Sequence, residues 1–194
     1  MKTLIACATK YGSTLQIGRW IAERLSYEGF TVDVVRPHET DSIDRYELII
    51  MGSGIYSHYV LPELRDFMEK NKDVLMTKKL ALFGVAMKTT AVFHKGKIHG
   101  GIEHLKPAVE MFGDAIVHMD MLHGEMVPQK MDEKDKEGLL RFYKMLGLDE
   151  EETKRRMSPR TLMDKKECWE FAEAVIKKAR EKKAGHYGYV STEI

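Results

Sequence analysis

The sequence is short of cysteine, with only Cys7 and Cys168 among 194 residues. Two thiols exclude a disulfide framework and any zinc or iron–sulfur centre built on several cysteines. It lacks an excess of charge of either sign: 31 Lys and Arg stand against 30 Asp and Glu, a net charge of +1. Dedicated nucleic-acid binders carry a clear basic excess or stripe, so nucleic acid is not the expected partner. No apolar run approaches the roughly 20 residues of a membrane span. No internal repeat or low-complexity segment divides the chain. Residues 1–7 contain a short apolar run but have no small-residue cleavage site behind them. They read as a first strand and not as a signal peptide, and the expected compartment is the cytoplasm.

What is present is ordinary globular material, 43% hydrophobic and 31% charged. A single domain of this size buries roughly 70% of the surface its unfolded chain exposes. Residues 3–9, 48–51 and 80–86 are short apolar runs, as expected of strands buried on both faces of a parallel sheet. Residues 30–35 alternate and predict a less buried strand. Residues 115–122 are a further strand. Helical spacing marks residues 14–28, with Ile17, Ile21 and Leu25 on one stripe. It also marks 62–76, 101–112 and 164–183. The first strand run ends in a turn cluster, the second at Gly52, Ser53 and Gly54. The segment 36–46 has room for one more helix, limited by Pro37. Alternating strands and helices imply a sheet covered on both faces. Residues 125–161 interrupt the alternation. A helix is expected from Asp132 and Glu133 to Leu146, followed by the charge run 149–156. This insertion is either a brace over one edge or a lid over a site.

The strongest local signal is Thr9, Lys10, Tyr11, Gly12, Ser13 and Thr14, between a buried strand and a helix. The first N–H groups of a helix lack partners, and with the helix dipole they suit an anion such as phosphate. Hydroxyls of Thr9, Ser13 and Thr14 add donors, and Gly12 permits a tight turn. An ordinary Ser/Thr helix cap explains the same residues. The spacing matches neither a Walker loop nor a G-x-G-x-x-G turn, which disfavours ATP and NAD here.

These residues resemble the T-x-[TS]-G-x-T phosphate loop of the flavodoxins, with Tyr11 at the third position. A second match covers Leu48, Ile49, Ile50, Met51, Gly52, Ser53, Gly54, Ile55 and Tyr56. A third covers residues 81–86 and the loop after them. The three lie in the order of the flavodoxin-like family. Within it the chain resembles the branch that includes menaquinone-dependent protoporphyrinogen IX dehydrogenase. The resemblance implies an α/β flavodoxin-like three-layer sandwich, with a five-stranded parallel sheet in the order 2-1-3-4-5 and the insertion between strand 5 and the last helix. Residues 1–184 would form the FMN-binding domain, and 185–194 a C-terminal tail that is frayed or folds onto a neighbouring subunit.

The resemblance also implies the site. Residues 9–14 would hold the FMN phosphate. Ser53, Gly54, Ile55 and Tyr56, with Val85, Ala86, Met87, Lys88 and Thr89, would flank the isoalloxazine. Tyr56 would stack on it, or else be a surface tyrosine closing a loop. His123, Gly124 and Glu125 would form a third wall, or a plain turn. Lys88 near the flavin N1 edge would favour the anionic reduced flavin; otherwise it is a solvated lysine. His58 and His123 are proton-donor candidates. His94, His99 and His104 recur every five residues, which does not gather them on one helical face. They read as part of a basic loop and not as a metal site. Cys7 and Cys168 read as packing residues.

The implied function is an FMN-dependent oxidoreductase passing electrons to a quinone, porphyrinogen or protein acceptor, with no side-chain nucleophile. The alternatives are a non-enzymatic electron carrier and a flavin-free scaffold. A homodimer is compatible with either of the first two.

Overall fold

The computed structural model describes residues 1–40, 42–94 and 96–181. The tail at 185–194, the domain end at 184 and the last two residues of the helix expected at 164–183 lie outside the described residues.

Strands β1 (Lys2–Ala8), β2 (Thr31–Val35) and β3 (Leu48–Tyr56) come first in the chain. The two-residue β4 (Tyr59–Val60) folds back on β3. Next come β5 (Lys79–Ala86), the hairpin strands β6 (Ala91–His94) and β7 (Lys97–Gly100), and β8 (Ile116–His123). The main sheet runs β2-β1-β3-β5-β8, all parallel. Counting only these five, the order is the expected 2-1-3-4-5. Ala8 stands opposite Ser53, Ser53 opposite Gly84, and Gly84 opposite Met121. The carboxyl ends of the central strands therefore finish level, and the loops beyond them share one edge.

The apolar runs explain the layers. Successive residues of a strand face opposite sides. Leu4, Ala6 and Ala8 join one buried cluster, Ile5 and Cys7 the other. The first cluster is covered by α2 (Pro62–Lys70), the short α3 (Lys72–Leu75) and α4 (Lys106–Phe112). The second is covered by α1 (Ser13–Tyr27) and α7 (Lys165–Arg180).

Several boundaries differ from expectation. The run at 48–51 does not stop at Gly52; β3 continues to Tyr56. Gly52 works as a strand residue because the Phe83 ring occupies its side-chain space, with a Cβ at Gly52 falling 2.1 Å from Phe83 Cζ. The helix at 62–76 is broken at Asn71, whose side chain bonds the Phe67 carbonyl at 2.8 Å. Among the described residues of 36–46 no second helix forms. Pro37 starts only the 3-10 turn Pro37–Glu39. Likewise 101–112 splits into a 3-10 turn, Gly101–Leu105, and α4. The last helix ends at Arg180 and is capped by Asp164, which accepts from Lys166 N–H at 2.8 Å.

The insertion is built as two capped helices on a two-stranded base. Strands β9 (Glu125–Met126) and β10 (Arg160–Thr161) pair antiparallel. Between them lie α5 (Glu133–Met145) and α6 (Glu150–Arg156). Asp132 and Asp149 cap them, each accepting an N–H at 2.7 Å. The charge run thus forms a helix with its acids in the first turn and its bases in the last, matching the helix dipole.

Candidate functional site

Loops after β1, β3, β5 and β8 line an open cleft. Tyr11 and Ser13 line it from the first loop. Gly54, Ile55 and Tyr56 come from the end of β3, Val85, Ala86 and Met87 from β5, and Gly124 and Glu125 from beyond β8. Ten of the eighteen residues expected at the site therefore meet in one cavity. Three further lining residues, Met126, Val127 and Met131, belong to the insertion. The insertion thus walls the cleft besides bracing the edge.

The first loop distinguishes an anion cradle from a simple cap. The N-cap of α1 is Gly12, at φ 101°, and no side chain caps the helix. Neither Ser13 nor Thr14 is the cap; both lie inside the first turn. The Gly12 N–H donates to Thr9 Oγ at 2.9 Å, which closes the turn. Thr9 and Thr14 are buried. The first-turn N–H groups of α1 point out of the helix end uncapped, and its first turn holds no acidic residue. That arrangement fits a phosphate.

Around this cradle the insertion supplies the counter-charge. Asp135 accepts from the Lys10 ammonium and from the Tyr11 hydroxyl, each at 2.5 Å. Asp132 stands 3.5 Å from Lys10. The Lys10 ammonium lies 5.8 Å from the Tyr11 ring centre and 5.5 Å from that of Tyr56, within cation–π range. Burial works against the Lys10 charge, but the bond to Asp135 and the nearby carboxylates outweigh it and raise its pKa. Burial, reinforced by the Asp135 bond, pushes the Tyr11 hydroxyl up. Tyr56 is raised further, chiefly by burial. Both tyrosines stay neutral at physiological pH. The N–H of Asp135 holds the Asp132 carboxyl below its usual value. The Tyr56 ring folds over Gly54, where a Cβ would sit 2.8 Å from Tyr56 Cε2.

Other expected residues serve different ends. The Ser53 hydroxyl is fully buried; it donates to the Gly54 carbonyl at 2.8 Å and accepts from Leu61 N–H at 2.9 Å. It shapes the β3–α2 turn and does not line the cleft. Lys88 is exposed beyond the rim. His123 is tied away from the cleft. Glu167 on α7 takes its backbone N–H at 3.0 Å and pairs with its Nδ1 at 2.9 Å, and its Nε2 lies 3.3 Å from the Thr89 hydroxyl. Gly124 is the part of that segment that builds a wall, and its N–H donates to the Ala86 carbonyl at 2.9 Å. His58 sits on a strained turn, with Ser57 at φ 49° and His58 at φ 71°. Its carbonyl accepts from His104 Nδ1 at 3.0 Å, and burial lowers the His104 pKa. The side chains of His94 and His99 lie outside the described residues. Among the described residues, no three His, Cys, Asp or Glu side chains gather as a metal site.

Comparison with known proteins agrees with this architecture. Residues 4–153 match the family model of the flavodoxin domain. Protoporphyrinogen IX dehydrogenase [quinone] of Escherichia coli (strain K12) is 31% identical over 88 residues, covering 44% of this chain and 48% of that protein. The chain spans about half the length of the curated relatives it matches. A flavodoxin from the domain Archaea superposes with TM-score 0.55 at 14% identity, over 93% of this chain and 100% of that one. Two-electron reduced Megasphaera elsdenii flavodoxin gives TM-score 0.55 at 16% identity, over 91% and 99%. At such identities the likeness is one of fold. The family implies a flavin as cofactor. With its sheet order, its uncapped first helix at the carboxyl edge and a family match over residues 4–153, this chain belongs to the flavodoxin domain family.

Proposed function

We propose that the chain binds FMN and acts as an oxidoreductase, passing electrons from a reduced donor, such as a porphyrinogen, to a quinone or protein acceptor. The observation that carries this is the uncapped first turn of α1 behind Gly12, opening beside a cleft walled by Tyr56, Met87 and Gly124. N–H groups of the first turn, with the Ser13 and Thr14 hydroxyls, would hold the phosphate. Tyr56 would cover one side of the ring system, and Met126, Val127 and Met131 would exclude water from its edge. Lys10 supplies positive charge near the phosphate, balanced by Asp135 and Asp132. FMN, when bound, supplies the one- and two-electron chemistry, and the chain supplies binding, orientation and electrostatics.

The similarity to protoporphyrinogen IX dehydrogenase [quinone] supports a quinone as acceptor and a porphyrinogen as donor. The near-neutral charge also favours turnover of small molecules over docking through a strongly charged face.

The test is a titration of the apoprotein with FMN, followed by flavin fluorescence, with riboflavin as control. FMN should bind much more tightly than riboflavin, because only FMN carries the phosphate. Equal or absent binding of both refutes the proposal. The loaded protein should then reduce a soluble quinone. Tight FMN binding without turnover would make it a carrier.

A further inference from the structure

One wall of the cleft rests on a narrow support, the strand pair β3–β4. Ile55 and Tyr56 of β3 line the cleft, and Val60 and Tyr59 of β4 pair with them antiparallel. Only Ser57 and His58 join the two strands, and both take positive φ, 49° and 71°. A two-residue hairpin turn with positive φ at both positions is the shape that Asn-Gly and Asp-Gly adopt readily. Neither residue here is glycine. Such a turn persists only where its surroundings hold it.

Packing and pairing hold it only in part. Strand β4 is two residues long and, among the described residues, pairs with β3 alone. Val60 reaches the buried cluster, but Tyr59 is 62% exposed. The Ser53 hydroxyl ties the far end of β4 through Leu61 N–H, away from the turn. Behind β4 lies a second, apolar cavity, lined by Val60, Leu64, Leu82, His104 and Leu105. The turn itself is tied by His104. Its Nδ1 donates to the His58 carbonyl at 3.0 Å, and the two rings lie 5.7 Å apart with 33° between their planes. A carbonyl only accepts, so the proton sits on Nδ1 and Nε2 of the neutral ring is bare. Burial lowers the His104 pKa and keeps that ring neutral at physiological pH. The support of His104 is firm. The 3-10 turn Gly101–Leu105 begins at Gly101, φ 57°, so close to β6 that a Cβ there would stand 2.7 Å from the Ala91 nitrogen.

We propose that His104 is a positioning residue: by holding the Ser57–His58 turn through the His58 carbonyl, it fixes Tyr56 in the wall of the cleft. The hold on the turn stands apart from the flavin reading. That Tyr56 then covers the ring system of FMN rests on that reading.

The test has two readouts on the full chain. The first is amide hydrogen exchange, followed on peptides that span residues 57–61. His104→Ala should speed exchange there about tenfold or more, with β1 and β5 unchanged. His104→Asn keeps an N–H near the place of Nδ1 and should restore most of the protection, which a role in packing alone would not do. Unchanged exchange at 57–61, equal acceleration throughout the protein, or Asn behaving as Ala overturns the proposal. The second readout is titration with FMN, followed by flavin fluorescence. His104→Ala should weaken FMN binding about threefold to tenfold, and should add no further loss in a Tyr56→Ala background, because His104 acts through that ring. Faster exchange at 57–61 with FMN affinity unchanged, or an equal loss of affinity in both backgrounds, overturns the link to Tyr56. An unaltered chain that binds no FMN sinks only the flavin reading, and the exchange result still decides whether His104 holds the turn.

Discussion

Lys10 and Asp135, 125 positions apart in the chain, meet at 2.5 Å. The contact ties the first helix of the insertion to the loop that leads into α1, and Tyr11 joins it through the same carboxylate. Asp135 thereby places an anion beside a cradle suited to an anion. Replacing Asp135 with Asn should tighten FMN binding about fivefold at low salt, with little change for riboflavin. The difference should shrink at high salt. Because the pair is partly exposed, stability should fall by only about 0.2–1 kcal/mol. Paired titrations at two ionic strengths, with a denaturation curve, check both parts. Weaker FMN binding would mean that Asp135 serves the site by holding Tyr11 in place.

Thr14 is buried at the start of α1, with its hydroxyl on the side of Gly54. Thr14→Val keeps the shape and removes the donor. A hydrogen bond to a charged group contributes about 1.5–3 kcal/mol, so FMN affinity should drop roughly tenfold to a hundredfold, and riboflavin affinity far less. Equal losses for both ligands would mean that Thr14 only packs.

Much of this was legible in the sequence, for a physical reason. Strands buried on both faces must be apolar throughout, so β1, β3 and β5 stand out without any partner in view. The extension of β3 past Gly52 was hidden, because glycine reads as a stop unless the ring of Phe83 is known to lie against it. The hairpin β6–β7 was missed because none of its described side chains joins either buried cluster. At the site, residues 9–14 were legible because a helix start creates its own orphan donors. Met131, Asp135 and the Glu167 partner of His123 were not, since only the fold brings them there. A helix start at Asp132 and Glu133 was legible, but nothing local says that this helix end meets Lys10.

Gly12 and Gly147 both take positive φ, 101° and 72°, and at neither does any atom lie within 4 Å of where a Cβ would stand. Alanine at either place therefore meets backbone strain and no clash. Each change should destabilise the protein by about 1–2 kcal/mol. Only Gly12→Ala should also weaken FMN binding, because only Gly12 sets the path of the cradle. Denaturation and FMN titration of the two variants separate the general cost from the local one. Unaltered FMN binding in Gly12→Ala would show that the cradle tolerates a shifted turn.

Cys7 is fully buried in β1, and Cys168 is buried on α7 against the same cluster. Burial pushes both thiols from 9.0 up to about 12. A thiol ionised in the unfolded chain but protonated in the fold means that the unfolded state binds fewer protons. Stability should therefore be unaffected by these groups below about pH 8 and fall as the pH rises from 9 towards 12. The thiolate is the reactive form, so neither cysteine should react with a thiol reagent at pH 8 in the native protein. Both should react at once in denaturant. Native labelling should then proceed only through opening of the sheet, at a rate that climbs with denaturant as the global unfolding population does. Rapid labelling of one thiol at pH 8 would show that its side of the sheet opens locally. For Cys168 that would mean α7 detaches, together with the Glu167 that holds His123.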